Sequence, residues 1–342
     1  MSLHLGFLTH VHGEEPAPAL YRRLVELFVA AEELGFDSGW VAQHHLQPRH
    51  GRLPSPLPLL AAVAARTTRI QLGTAVVVLP LENPLRLAED AAVLDALSGG
   101  RLQLGLGTGG PSAGEFAAFG RDVADRRTRY AESLEILTRA LSGHPLPTTP
   151  PSAGDPGTNG AGRAPAAASE GEEPRTLQPS GTGLASRLWG STSRPEAAAA
   201  DARAGRGLLL GVGPAGTVQR ELSAAHSAAG SAPRAAVRGV FPGPDRATVA
   251  AQLAPDVARY LPAHVAAGWA PHDRIDTPEL LGLMNVHYGT PDDIVASLRA
   301  DPVVATSTHL IAAVQAESTT LDQALRHLEI LAEDVAPGVK AP

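Results

Sequence analysis

Two stretches near the start of the chain end apolar runs in imidazoles. His10 and His12 close FLTHVHG, and His44, His45 and His50 close WVAQHHLQPRHG. Imidazole can ligate a metal, move protons near neutral pH, or serve as a polar strand-end residue. A catalytic metal needs further His or carboxylate ligands from later strands. RLWGSTS (187–193) and GLLLGVG (207–213) carry none, and HLIAAVQAE (309–317) ends with only Glu317, well past its apolar run. The spacing therefore argues against a metal, and proton transfer stands beside a plain structural role.

Two further stretches could hold a ligand. GLGTGG (105–110) follows an apolar run and matches G-x-G-x-x-G. A dinucleotide fingerprint also needs an acidic residue about 20 residues on, at the end of a second strand. Here that distance falls inside a helical pattern near Arg127 to Tyr130, so no NAD site is read. The loop is either a backbone surface for a flat ligand or a plain glycine turn. In WGSTSRPEAAA (189–199), Ser191, Thr192 and Ser193 lead into a helix. Hydroxyls and free N–H groups there make an anion site, with simple N-capping by Ser193 as the alternative.

The elements that must position these residues alternate from the start. Apolar runs at 3–9, 36–43, 69–79, 101–107, 187–191, 207–211, 235–241 and 309–314 each lead towards a helical pattern. Leu20, Leu24, Leu27, Phe28, Ala31 and Leu34 mark the first helix, closed by Gly35. Helices are also predicted near 56–66, from Pro84 to Leu97, at 124–142, from 195, and at 215–229, 245–260 and 319–334. Eight strand–helix units predict an α/β fold, a single (β/α)8 TIM barrel over residues 1–342, with the site at the C-terminal strand ends. Alternation along the second strand splits His44 from His45, so at most one of them faces the mouth. Residues 143–183 are dense in Pro, Gly, Ala and Ser and predict a mobile, low-complexity insertion before strand 5. The stretch 261–289 reads as irregular, lying over the barrel mouth.

Composition narrows the partners. Hydrophobic residues make up 44% and charged residues 18% of 342, as in globular proteins. A net charge of −7, with Lys340 the only lysine, argues against a nucleic-acid binder. Without cysteine there are no disulfides, thiolate metal sites or Cys nucleophile. The start MSLHLGFLTH lacks a leader pattern, and no apolar run reaches the roughly 18 residues of a membrane span. The expectation is a soluble, cytoplasmic protein.

AAEELGFDSGWVAQHH, RIQLGTAVVVLPLENPLRLAEDAAVLDALSGGRLQLGLGTGG and LWGSTSRPEAA resemble the bacterial luciferase-like, flavin-dependent monooxygenase family. The likeness is strong over 1–142 and looser over 186–335. It implies a (β/α)8 barrel with flavin at the C-terminal strand ends. His44 matches the family's catalytic base, with His45 beside it. Thr74-Ala75 falls where the family often has a non-prolyl cis peptide beneath the flavin ring. Gly107, Thr108 and Gly109 match the loop lining the flavin, and Ser191, Thr192 and Ser193 match the phosphate-binding turn. The double histidine looks like the FMN branch, which implies a monooxygenase acting through a flavin C4a-peroxide with O₂ on a small organic substrate. Reduced FMN would come from a separate flavin reductase, and a homodimer is expected. An F420-dependent hydride-transfer enzyme and a non-catalytic flavin-binding barrel are the alternatives. Luciferase itself has an arginine matching Thr108, and residues 143–183 match no family element.

Overall fold

The computed structural model describes residues 3–146, 175–211, 216–266 and 268–340. Ten parallel strands form one sheet: β1 (His4–Thr9), β2 (Ser38–Val41), β3 (Gln71–Thr74), β4 (Val77–Val78), β5 (Leu102–Gly107), β6 (Leu188–Ser191), β7 (Gly207–Leu210), β8 (Arg234–Pro242), β9 (Val286–Gly289) and β10 (His309–Ala313). β3 and β4 are two pieces of one stave, both paired with β5. β10 pairs with β1 on one side and with Ala235–Gly239 of β8 on the other, which closes an eight-stave barrel. The second half of β8 splays away and pairs with β9 instead.

Helices cover the outside, and the longer ones carry an apolar stripe at helical spacing. The first, Ala17–Glu33, buries Leu20, Leu24, Leu27, Phe28 and Ala31 against the staves. Gly35 follows its end with φ 89°, a left-handed value that favours glycine. The helix Pro84–Ser98 starts with proline where no N–H is needed, and Asn83 accepts from the Leu85 and Arg86 amides.

Inside the barrel, two indoles fill the space that branched aliphatics usually fill. Trp40 and Trp189 meet edge to face at 5.6 Å. Glycines on neighbouring staves make room for them: a Cβ on Gly73 would sit 2.1 Å from the Trp40 ring. The indole N–H groups donate to Ser38 Oγ and Gln103 Oε1, so neither is buried unpaired.

The structure corrects one sequence expectation and sharpens the bounds of another. The stretch 261–289 is not irregular throughout: it holds helices Leu261–Ala266 and Thr277–Leu283, then β9. β9 is short and, among the described residues, pairs with β8 alone, so no long apolar run marks it. The expected helix at about 124–142 is present as Arg126–Leu141, preceded by a separate 3-10 turn, Val123–Asp125. Of the expected mobile insertion, residues 147–174 lie outside the described residues. Its flanks are packed: the Leu146 amide donates to the Arg175 carbonyl at 2.8 Å, and Leu177 is buried. Among the described residues no helix is long and apolar enough to cross a membrane.

Candidate active site

The C-terminal ends of the staves open into a cavity of about 390 Å³. Of the residues singled out from sequence, His44, Ala75, Gly107, Thr108, Gly109, Ser191, Thr192 and Ser193 all line it. Thr74 and His45 do not. Sequence reasoning left His10 without a role and missed Gln43, Val76, Glu115 and Gln219, which also line it.

One wall is the break between β3 and β4. Three residues, Thr74 to Val76, face two on β5, so the regular ladder lapses there. The Thr74 hydroxyl replaces it, donating to the Gly105 carbonyl and accepting from the Gly105 amide, each at 2.9 Å. Thr74 is thus a buried brace behind the wall. The non-prolyl cis peptide lies between Ala75 and Val76, one residue later than the resemblance implied for Thr74-Ala75. The wall approaches β5 so closely that a Cβ on Gly105 would stand 2.0 Å from the Thr74 carbonyl oxygen. Gln43 fixes the far end, accepting from the Val78 amide and donating to Glu82 and the Pro54 carbonyl.

The histidines follow from how the chain leaves β1 and β2. β2 ends at Val41, so strand alternation no longer governs residues 44 and 45. The pair diverges all the same. His45 is buried edge-on against Phe119, with ring centroids 4.8 Å apart, away from the cavity. His44 turns to the cavity, its amide donating to the Leu53 carbonyl. Nε2 of His44 lies 3.0 Å from Nδ1 of His10. His12 stacks near His10, and His50, although exposed in its loop, stacks near His44 at 6.2 Å.

Burial sets the charge of this row. It lowers His44 to about 3, with the neighbouring His10 and His50 adding to the effect. His10 is lowered to about 4 by burial, then by the Arg259 cation and His50. His12 falls to about 3 by burial and by His10. At neutral pH the row is uncharged imidazole, able to accept and pass protons. Among the described residues no group of three or more His, Asp or Glu side chains is arranged to hold a metal ion.

Across the cavity, β6 delivers Ser191, Thr192 and Ser193 to the start of the helix Pro195–Arg203. Ser193 does not cap this helix. The N-cap residue is Arg194, with no side-chain cap, while Thr192 Oγ1 accepts from the Arg194 amide at 3.1 Å. Ser191, Thr192 and Ser193 line the cavity just before the start of this helix. Glu115, whose carboxyl burial pushes up, stands near the glycine loop. Gln219 donates to the Gly211 carbonyl and accepts from Arg238. A polar residue on the same helix stripe as buried Leu222 and His226 was the available sequence signal.

Comparison with known proteins adds the following. The family model described as luciferase-like monooxygenase matches residues 1–316. A 4-hydroxyprotoasukamycin monooxygenase from Streptomyces nodosus subsp. asukaensis is 44% identical over 141 residues, 40% of this chain and 37% of that protein. An F420-dependent glucose-6-phosphate dehydrogenase from Amycolatopsis mediterranei is 41% identical over 122 residues, 34% of this chain and 36% of that one. The matched region thus spans little more than a third of these curated relatives. The FMN complex of the oxygenating constituent of 3,6-diketocamphane monooxygenase from Pseudomonas putida superposes with TM-score 0.74 at 20% identity, covering 98% of both chains.

Proposed function

The chain belongs to the luciferase-like monooxygenase family, and on that premise we propose a flavin-dependent monooxygenase that uses reduced FMN and O₂ on a small organic substrate. The observation that carries this reading is the opposition of two surfaces in one cavity. Ser191 to Ser193 sit at an uncapped helix start, facing a flat wall of Ala75, Val76 and the Gly107–Gly109 backbone. A cavity of about 390 Å³ lies in the range of small-ligand sites.

The residues present fit FMN. The hydroxyls and helix start suit a phosphate, and the side-chain-poor wall suits a planar ring. FMN supplies the electrons and the activation of O₂. The chain's own groups bind, exclude water and handle protons. Ala75, Val76, Val78 and Leu210 give the cavity an apolar lining that keeps water out. His44, neutral and against the cavity, accepts a proton from the reacting centre and returns it. Reduced FMN comes from a separate reductase.

A second reading, F420-dependent hydride transfer on the same barrel, is favoured by the likeness to the Amycolatopsis enzyme. Binding decides between them. The purified protein is titrated with FMN, reduced FMN and F420, and the complex with reduced FMN is then exposed to O₂ with aldehyde and ketone substrates. Tight F420 binding without FMN binding overturns the FMN reading. Binding of reduced FMN without any oxygenated product leaves a flavin-binding barrel that does no oxygenation.

A further inference from the structure

Resting on the proton-handling role given to His44 above, we propose that His10 and His44 act as one proton-sharing unit, in which His10 is the positioning residue and onward acceptor for His44. Both rings line the cavity. Their facing nitrogens are 3.0 Å apart, with ring centroids at 5.3 Å and planes inclined by 32°. Two neutral imidazoles at that distance must adopt complementary roles, one nitrogen bearing the proton and the other accepting it. Neither ring makes another hydrogen bond among the described residues, so Nδ1 of His44 and Nε2 of His10 are the outer ends of the unit.

The step balances. A proton from the reacting group adds to Nδ1 of His44, and the proton on Nε2 passes to Nδ1 of His10. His44 is then neutral in its other tautomer, and the charge sits on His10. His10 releases its Nε2 proton to solvent, which leaves both rings neutral with the shared proton now on His10. Running the sequence backwards delivers a proton to the cavity. A lone buried His44 would have to hold the full charge beside the ligand. The pair moves that charge one ring away.

The surrounding charges oppose a resident cation on either ring. The titratable neighbours of the pair are His12, His45 and His50. Arg259 faces His10, paired with Glu317 and lying over the Tyr260 ring, and Glu317 also holds Arg49. This arrangement lets a proton pass through without being stored.

Two substitutions and one spectrum test the unit. His10→Asn keeps a hydrogen-bonding group near the position of Nδ1 but cannot relay a proton, whereas His10→Leu removes both functions. Turnover is expected to fall at least tenfold, and equally, in the two variants, with flavin affinity unchanged and added imidazole restoring rate. Wild-type turnover in His10→Asn overturns the relay and leaves His10 a mere support. In the ligand-free protein, ¹⁵N NMR of the histidine rings should show both rings in the same tautomer, both Nε2–H or both Nδ1–H, and a joint titration, with His44 displaced in His10→Asn. Independent titration of the two rings overturns the proposal. Because the NMR experiment needs no cofactor, absence of turnover with every flavin counts against the flavin reading and not against the pair.

Discussion

Gly51 lies against His44 so closely that a Cβ built on it would stand 2.5 Å from the ring's Cδ2 and 2.2 Å from the carbonyl oxygen of His10. The loop can cross the two histidines only because residue 51 has no side chain. The Arg52 amide ties it down by donating to the Val11 carbonyl.

Gly51→Ala must therefore displace backbone as well as a ring. We expect a stability loss of about 1–3 kcal/mol, as for overpacking, and a turnover loss on the order of 100-fold from misplacement of His44. Urea unfolding and single-turnover flavin oxidation measure the two. A variant with wild-type values in both would show that the loop does not position the rings.

His44→Ala removes the proton acceptor and leaves the wall and the hydroxyl turn intact. Flavin affinity should hold while product formation falls by roughly 10²–10⁴-fold, the usual worth of a general base. Unchanged turnover would rule out the role given to His44.

Ser191→Ala combined with Ser193→Ala tests the anion end of the cavity. Hydrogen bonds to a charged group contribute about 1.5–3 kcal/mol, so FMN should bind roughly 10–100-fold more weakly. Riboflavin, which has no phosphate, should bind as before. An equal loss for both ligands would place the phosphate elsewhere.

Arg238 is fully buried on β8, paired with Asp301 at 2.6 Å and donating to the cavity residue Gln219 at 2.8 Å. Arg238→Met removes the ion pair of Asp301, a half-buried carboxylate that keeps the Val303 and Val304 amides as donors, and losing a hydrogen bond between charged groups costs about 1.5–3 kcal/mol. Denaturant unfolding should show that loss, together with weaker ligand binding through Gln219. Stability within 1 kcal/mol of wild type, on the order of ordinary surface changes, would contradict it.

Acid should destabilise the fold earlier than carboxylate protonation alone would. His10 and His309 sit at about 4, His12 and His44 at about 3, all lowered first by burial from an ordinary value of 6.5. Above the ordinary value both folded and unfolded chains hold these rings neutral, and pH has no effect through them. As pH falls below it, the unfolded chain takes up protons that the folded chain refuses. Stability then declines until the folded values are reached, at up to about 1.4 kcal/mol per pH unit for each ring. Unfolding free energies at pH 8, 6 and 5 test this, and a flat profile across that range would show that these rings take up protons in the folded protein as they do in the unfolded chain.

Much of the architecture is readable in the residue pattern because local physics enforces it. Apolar runs such as RIQLGTAVVVL are buried on both faces, and helices must present stripes like Leu20, Leu24, Leu27 and Phe28 to them. The strand ends then place His44, Gly107 and Ser191 at one rim without further information, because the staves run parallel. β9 escaped because four residues with one paired edge leave little period to detect.

What only the tertiary structure decided concerns relations between side chains distant in sequence. The pairing of His10 with His44 depends on how two loops leave neighbouring staves, at Val11 and Leu46, which take φ of 61° and 58°. Residue type does not announce those turns, since neither position is glycine. The divergence of His45 towards Phe119, the bracing role of Thr74, and the cis bond at Ala75-Val76 likewise follow from the packing of one stave on the next. The sequence determined which chemistry could gather at the rim. The fold decided which of two adjacent imidazoles faces the cavity and which imidazole lies 3.0 Å from it, because side-chain direction beyond a strand end is set by contacts and not by alternation.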